Sequence, residues 1–217
     1  MPAAAPTLDD PWLPLAPDAV RDLFGATSAR WWLSGGAALD RWLGAPVRER
    51  ANVDISTTGA DLPALIDALP SLYSAWVCAG DDAVAWADAP EDIDPHPVQV
   101  REDSSGAWVL RINVEDGTPA AWLYRRDPRL QLPWERAVLD LDGIPTGAPE
   151  VQLVWKALRP RPEDDADKDA VLPTLSHEAV RFYETALLRV HPHSTWAIHV
   201  RSPFAPAKPS WNRSTGR

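Results

Sequence analysis

The chain has 217 residues and a formal net charge of −10, from 31 acidic and 21 basic side chains. A net charge of this sign repels polyanions, which disfavours DNA or RNA as partners and suits small cationic molecules. Hydrophobic residues make up 45% of the chain and twelve residues are tryptophan, so a folded core is expected rather than disorder.

The cellular compartment is predicted from the ends and the cysteine content of the chain. No segment approaches the roughly 20 apolar residues that a membrane span needs, and the N-terminal sequence "MPAAAPTLDDPW" lacks a basic region. Cys78 is the single cysteine, which excludes an intramolecular disulfide. These features predict a cytoplasmic protein.

The first part of the chain predicts alternating helices and strands. "APDAVRDLFG" favours a helix that ends at Gly25, and "ARWWLSGG" favours a short strand that runs into a glycine turn. "GAALDRWLG" predicts a helix with Gly44 as its C-cap and with a buried stripe formed by Ala38, Trp42 and Leu43. "ANVDIST" then predicts a strand, and "DLPALIDALP" a short helix.

The second part of the chain predicts a run of strands followed by helices. "VQVRED", "AWVLRINVED" and "AAWLYRRD" favour strands, whereas "APEVQLVWKALR" and "SHEAVRFYETALLRV" favour helices. In the last helix the spacing predicts a core-facing set of Val180, Tyr183, Leu187 and Val190. This order indicates an α/β (α+β) fold with a mixed sheet. We expect a core over 17–128, a mainly helical part over 129–198, and tails at 1–16 and 199–217.

Alternation along two strands predicts which polar side chains share a face. In the first strand Asn52, Asp54 and Ser56 lie together, while Val53 and Ile55 face the core. In "VLRINVED" the same rule places on one face Arg111, Asn113 and Glu115. If the two strands are neighbours, Asp54 and Glu115 come to one edge of the sheet.

The double glycine at 35 and 36 is a candidate ligand site. Two glycines before a helix let the backbone approach a ligand closely, and the free N–H groups of the first helical turn favour an anion. Ser34 adds a hydroxyl. Paired glycines also mark many ordinary turns, so this motif is weak on its own.

Residues 31–57 resemble the core of the nucleotidyltransferase superfamily that includes DNA polymerase beta, and in particular its aminoglycoside and lincosamide adenylyltransferase branch. The residues that match the pattern there are Gly35, Gly36, Ala38, Asp40, Gly44, Arg48, Glu49 and Asp54. A second match covers residues 142–167 and consists of Pro149, Glu150, Gln152, Leu153, Lys156, Asp164 and Asp167. The resemblance spans most of residues 17–195.

The resemblance implies transfer of a nucleotidyl group, normally adenylyl, from a Mg²⁺-bound nucleoside triphosphate to a hydroxyl of a small molecule. A cationic acceptor suits the acidic chain. The resemblance places metal ligands at Asn52 and Asp54, and catalytic carboxylates at Asp54 and Glu115. The residues it implies for nucleotide binding are Gly35, Gly36, Arg48 and Lys156, and we expect the Ser34 hydroxyl and the charge of Arg50 to add to the same phosphate site.

The chain departs from the branch pattern at several of these positions. The first aspartate of the usual Asp-x-Asp pair is Asn52, the usual histidine is Arg50, and the lysine of the Lys-Asp-x-x-Asp motif is Glu163. The third carboxylate is also ambiguous, because the strand centre carries Asn113 and only the strand end offers Glu115. An amide oxygen lacks the charge that offsets dehydration of Mg²⁺, so we expect Mg²⁺ to bind weakly if at all.

Three functional hypotheses follow from these departures. The chain is a weak or degenerate nucleotidyltransferase, a non-catalytic relative that binds a nucleotide or another ligand, or an interaction protein such as a toxin or antitoxin component. Ordinary structural roles are also open for several residues: Lys156 as a solvated helix lysine, Glu115 as a surface carboxylate, and "DDADKD" as a solvated loop or first helical turn.

Overall fold

The computed structural model describes residues 6–79, 82–90 and 92–201. The strands are β1 (Trp31–Ser34), β2 (Asp54–Thr58), β3 (Tyr73–Ala79), β4 (Asp82–Ala85), β5 (Val98–Glu102), β6 (Ala107–Gly117), β7 (Ala121–Leu123), β8 (Gln131–Pro133), β9 (Val138–Leu141) and β10 (Ile144–Gly147). The helices are α1 (Pro17–Phe24), α2 (Gly35–Leu43), α3 (Leu62–Asp67), α4 (Trp134–Ala137), α5 (Pro149–Lys156), α6 (Pro162–Val171), α7 (His177–Val190) and α8 (Thr195–Arg201). None of these helices is long and apolar enough to cross a membrane.

The strands form one mixed sheet of ten strands. Its main order is β4-β3-β5-β6-β2-β1-β10-β9, and β7 and β8 extend the end of β6. Strand β2 is parallel to β6 and antiparallel to β1, while β1 is parallel to β10. This arrangement confirms the predicted α+β fold with a mixed sheet.

Two hydrophobic clusters cover opposite faces of the sheet. Along β1, Trp31 and Leu33 belong to one cluster, with residues of α1 and α3, whereas Trp32 belongs to the other, with residues of α5, α7 and α8. Successive side chains of a strand point to opposite faces, so the sheet separates the two clusters. Helix α2 joins them, since Ala38 packs in the first cluster and Leu39 in the second.

The predicted ends of α1 and α2 agree with the structure, but the strand predicted for "ANVDIST" begins only at Asp54, so Asn52 and Val53 lie before β2. Helix α1 is followed by Gly25, and α2 is capped by Gly44, which has the left-handed φ of 73° that favours glycine in a C-cap. In the stripe predicted for α2, Ala38 is buried, and Trp42 and Leu43 are half-buried.

The core face predicted for α7 agrees in part with the structure. Tyr183 and Leu187 are buried, whereas Val180 and Val190 are only half-buried.

Several elements were not predicted, and two of them complete the sheet. Strands β9 and β10 lie within 129–198, and β10 supplies the second neighbour of β1. At the other end of the chain, Leu13 N–H donates to the carbonyl of Trp108 in β6. The division at residue 128 therefore stays a prediction, with strands of the same sheet on both sides of it.

Candidate functional site

The turn between β1 and α2 lies directly against Asp54. Ser34, the last residue of β1, pairs with Asp54, the first residue of β2. Gly35 follows with a φ of 61°, and a Cβ atom there would lie 2.9 Å from Asp54 Oδ2. Both the backbone conformation and the close approach therefore require glycine at position 35.

The register between β2 and β6 determines the surroundings of Asp54. Asp54 is opposite Arg111 and Ser56 is opposite Asn113, so the two strands are neighbours, which the sequence had left open. The Asp54 carboxylate lies 3.7 Å from Arg111 Nη1. Burial raises the pKa of Asp54, and nearby Arg111, Asn52 and Lys156 act to lower it.

The donors near Asp54 do not fit a tight magnesium site. The two other strand positions expected to supply carboxylates carry Asn52 and Asn113, and Arg111 lies beside the single carboxylate. Mg²⁺ prefers anionic oxygen ligands. Among the described residues there is no group of three or more His, Cys, Asp or Glu side chains able to hold a metal ion.

The cations expected to contact phosphate form a buried ion cluster with two aspartates of α6. Asp167 has no exposed surface and lies 3.2 Å from Arg48 Nη2, 2.9 Å from Arg50 Nη1 and 3.1 Å from Lys156 Nζ. Asp164 lies 2.7 Å from Lys156 Nζ. The alternative of a solvated loop is excluded for these two aspartates, which are buried in α6, although Asp164 does lie in the first helical turn. We call these five residues the ion cluster.

The pKa values in the ion cluster follow from its internal contacts. For Asp164, burial acts to raise the pKa, but hydrogen bonds from Arg161 and Lys156 outweigh it and lower the pKa to about 2. The pKa of Asp167 is lowered as well, because Arg50 and the other cations outweigh burial. Both aspartates are therefore charged at neutral pH.

Gly36 packs against the ion cluster. The Arg50 guanidinium is bidentate on Asp40, with N···O distances of 2.8 and 2.6 Å. A Cβ atom on Gly36 would lie 2.7 Å from Arg50 Nη1. The second glycine of the pair therefore accommodates an internal arginine.

A small cavity of about 150 Å³ lies between the sheet and α5. Its walls are formed by Ser34, Gly35, Ser56, His96, Asn113, Glu115, Gln152, Trp155 and Lys156. The hydroxyls of Ser34 and Ser56 are buried and make no hydrogen bond within the described part of the chain. The cavity thus presents polar groups whose hydrogen-bonding capacity is unused.

Glu115 lies in the wall of this cavity and is 3% exposed, which excludes the alternative of a surface carboxylate. Its Oε2 accepts hydrogen bonds from Trp122 Nε1 at 2.5 Å and Trp155 Nε1 at 3.0 Å. Burial raises the pKa of Glu115, and the hydrogen bonds from the two tryptophans oppose this shift.

The structure brings together most of the predicted site residues, but not all. Ser34, Gly35, Glu115 and Lys156 line one cavity, and Gly35 connects it to Asp54. Arg50 and Asn52 instead line a larger cavity of about 490 Å³, together with Pro14, Leu15, Pro17, Ala37, Asp40, Arg41, Gly44, Ala45, Pro46, Val53 and Asp142.

His96 was not among the predicted site residues. Its Nδ1 accepts a hydrogen bond from Val114 N–H at 3.1 Å, and burial lowers its pKa. This residue lies in a loop with no periodic pattern around it. Arg111 could be predicted as a neighbour of the site, because strand alternation places it on the polar face of β6.

Comparisons with known proteins agree with the fold described above. Residues 18–121 match the sequence model of the aminoglycoside-2''-adenylyltransferase family. The crystal structure of the lincosamide antibiotic adenylyltransferase LnuA, with lincomycin bound, is 17% identical, with a TM-score of 0.51 over 71% of this chain and 92% of that one. The chain has a nucleotidyltransferase fold. The predicted resemblance to the aminoglycoside and lincosamide adenylyltransferases is thereby confirmed.

Two further solved structures are similar over most of the chain. ANT(2'')-Ia in complex with adenylyl-2''-tobramycin is 14% identical, with a TM-score of 0.41 over 87% of this chain and 95% of that one. An antigenic nucleotidyltransferase-like protein from Paracoccidioides brasiliensis is 16% identical, with a TM-score of 0.41 over 85% and 89%. No curated protein matches the chain.

Proposed function

We propose that this nucleotidyltransferase-like protein binds a nucleoside triphosphate, by preference ATP, at the turn between β1 and α2, and transfers its nucleotidyl group weakly or not at all. The observation that carries this proposal is the single carboxylate of Asp54, flanked by Asn52 and Asn113 and 3.7 Å from Arg111. We place the protein in the cytoplasm, as its sequence predicts.

Weak transfer follows from the charge of the donor set. In the branch that this chain resembles, Mg²⁺ bound to carboxylates stabilises the negative charge that develops on the transferred phosphoryl group. The side chains of Asn52 and Asn113 are neutral amides, so they supply no negative charge to bind Mg²⁺. Loss of about 3 kcal/mol of transition-state stabilisation slows a reaction roughly 100-fold, since about 1.4 kcal/mol corresponds to a factor of ten.

Nucleotide binding is supported by the groups around the β1 to α2 turn. Gly35 is the first residue of a helix, where a backbone N–H group favours an anionic acceptor, and the buried Ser34 hydroxyl is adjacent. Positive charge is added by Arg48, Arg50 and Lys156. These cations would contact phosphate oxygens as well as the aspartates of the ion cluster. These contacts need no metal ion.

The acceptor is a small molecule with a hydroxyl, and a cationic one fits the cavity best. Among the described residues, Glu115 forms no ion pair with a Lys or Arg, and its hydrogen-bond donors are the indoles of Trp122 and Trp155. A buried carboxylate without a cationic partner favours a positively charged ligand. Its raised pKa also suits a group that takes a proton from a hydroxyl, so we assign to Glu115 the role of general base in any residual transfer.

Calorimetric titration of ATP, with and without Mg²⁺, tests the proposal alongside an assay of pyrophosphate release. We expect the wild-type protein to bind ATP with little dependence on Mg²⁺ and to release pyrophosphate at background rates. The variant Asn52→Asp/Asn113→Asp should bind ATP at least about tenfold more tightly when Mg²⁺ is present, because it places three carboxylates together.

The control is the same double variant with Asp54→Asn added, which should lose the Mg²⁺-dependent gain. Fast Mg²⁺-dependent pyrophosphate release by the wild type would show that Asn52 is a competent ligand and that the protein is an active transferase. Absence of ATP binding in both the wild type and the double variant would refute the nucleotide site.

A further inference from the structure

Gln152 occupies the hydrogen-bonding position that an anion would take at the start of α2. Its side chain is 2% exposed, and its Oε1 accepts a hydrogen bond from Gly35 N–H at 2.7 Å. Gly35 is the first residue of a nine-residue helix, where the backbone N–H groups have no partner within the helix. A phosphate oxygen at this turn would need the same donor.

The other half of the Gln152 amide is poorly satisfied. Nε2 is buried and makes no hydrogen bond to any of the described residues. It lies so close to Gly147 that a Cβ atom there would overlap it. A buried N–H group without a partner costs free energy, so this conformation of Gln152 does not satisfy the side chain fully.

Other buried polar groups of the same cavity point to a missing ligand. Ser34 is 3% exposed and Ser56 is 1% exposed, and both hydroxyls lack a partner within the described ranges. Lys156 follows Gln152 by four residues and therefore lies on the same side of α5. Its ammonium group is held by Asp164 and Asp167 of the ion cluster. The helix N-terminus is thus accompanied by independent, unused donors.

We propose that Gln152 is an internal stand-in for a phosphate oxygen. In the ligand-free protein its Oε1 accepts the hydrogen bond from Gly35 N–H, and the side chain turns away when a phosphate group binds. The proposal rests on the proposed function, since it takes the β1 to α2 turn as the phosphate site. Each binding event must break the Gln152 bond, so the apparent affinity for phosphate is lower than the turn alone would give.

Two substitutions separate this role from a purely structural one. Gln152→Met keeps the length and approximate volume of the side chain but cannot accept the Gly35 hydrogen bond. Gln152→Glu keeps the shape of the side chain and places a negatively charged acceptor beside the same donor, Gly35 N–H. Gln99→Met is a matched control, because Gln99 is also buried, at 6% exposed, and lies in β5 outside this cavity.

Affinity for inorganic pyrophosphate and for ATP without Mg²⁺ is measured by calorimetry, with thermal melting to verify folding. We expect Gln152→Met to bind both about 2- to 10-fold more tightly than wild type, the factor given by one net hydrogen bond. Gln152→Glu should bind at least about tenfold more weakly, because a charged acceptor on Gly35 N–H repels the anion. Gln99→Met should bind like the wild type.

Hydrogen exchange at the Gly35 amide provides a second readout. In the ligand-free state the amide should exchange faster in Gln152→Met than in wild type, and pyrophosphate should protect it in the variant. If wild type binds ATP but folded Gln152→Met binds equally or more weakly, Gln152 braces the turn and the stand-in role is refuted. If neither protein binds either ligand, the proposed function fails as well.

Discussion

The contacts of the ion cluster allow a quantitative prediction of how much Asp167→Asn lowers the free energy of unfolding. Asp167 has no exposed surface and contacts three cations, Arg48, Arg50 and Lys156, at 3.2, 2.9 and 3.1 Å. The substitution keeps the shape of the side chain and removes its charge. Arg48 and Lys156 then keep Asp164 as a partner, at 3.5 and 2.7 Å, and Arg50 keeps Asp40.

The expected loss of unfolding free energy follows from the burial of Asp167. Removal of one partner from a buried ion pair costs about 3–5 kcal/mol, because the other charge stays buried without compensation. Arg48 is 25% exposed and Asp164 remains, so we expect the lower end, about 3 kcal/mol. For a chain of this size, 1 kcal/mol corresponds to about 2–4 °C in Tm, which gives a decrease of roughly 6–12 °C.

Urea unfolding, followed by tryptophan fluorescence, measures this loss directly. The matched control is Asp169→Asn on the same helix, whose side chain is 70% exposed and which should unfold near the wild-type midpoint. A free energy of unfolding for Asp167→Asn that equals the control would show that the cluster does not stabilise the fold.

Two further predictions concern pH and the second glycine of the turn. Asp164 and Asp167 have pKa values below those of an unfolded chain, so their stabilisation is complete above about pH 5 and is lost as the pH falls toward about 2. Urea unfolding between pH 6 and pH 3 should show this decline, and a flat profile would contradict it. Gly36→Ala should destabilise the protein by about 1–3 kcal/mol, because its Cβ displaces Arg50, which is fixed by ion pairs. Gly59→Ala, where the nearest atom lies 3.9 Å away, is the control; equal melting of the two variants would refute the steric argument.

Local sequence was sufficient to group the polar side chains of the site. The alternation in "DIS" and "RINVE" follows from the two-residue period of a strand, whereas Asn52 lies before β2 and is outside this pattern. The register then places Asp54 opposite Arg111 and Ser56 opposite Asn113, as that alternation requires. The glycine turn was predicted for a similar reason, since few residues other than glycine adopt the φ of 61° seen at Gly35.

The ion cluster could not be predicted from local composition. An acidic stretch on a short helix is typical of a solvated surface, and only tertiary packing brings Asp167 to Arg48, 119 residues away. Strand β10 is a comparable case, because a four-residue segment that contains proline and glycine has little intrinsic strand preference. It is a strand because β1 and β9 supply its hydrogen bonds on both sides.

The position of β1 between β2 and β10 has a consequence for how the chain folds. Strand β2 follows β1 closely in sequence, but β10 and Gln152 come from the far part of the chain, and Gln152 follows Gly35 by 117 positions. During synthesis, one edge of β1 stays unpaired until residues 144–147 have emerged. Contacts of such long sequence separation slow folding, because a large loop must close before they form. We therefore expect the turn between β1 and α2 to be among the last parts of the protein to reach its native geometry.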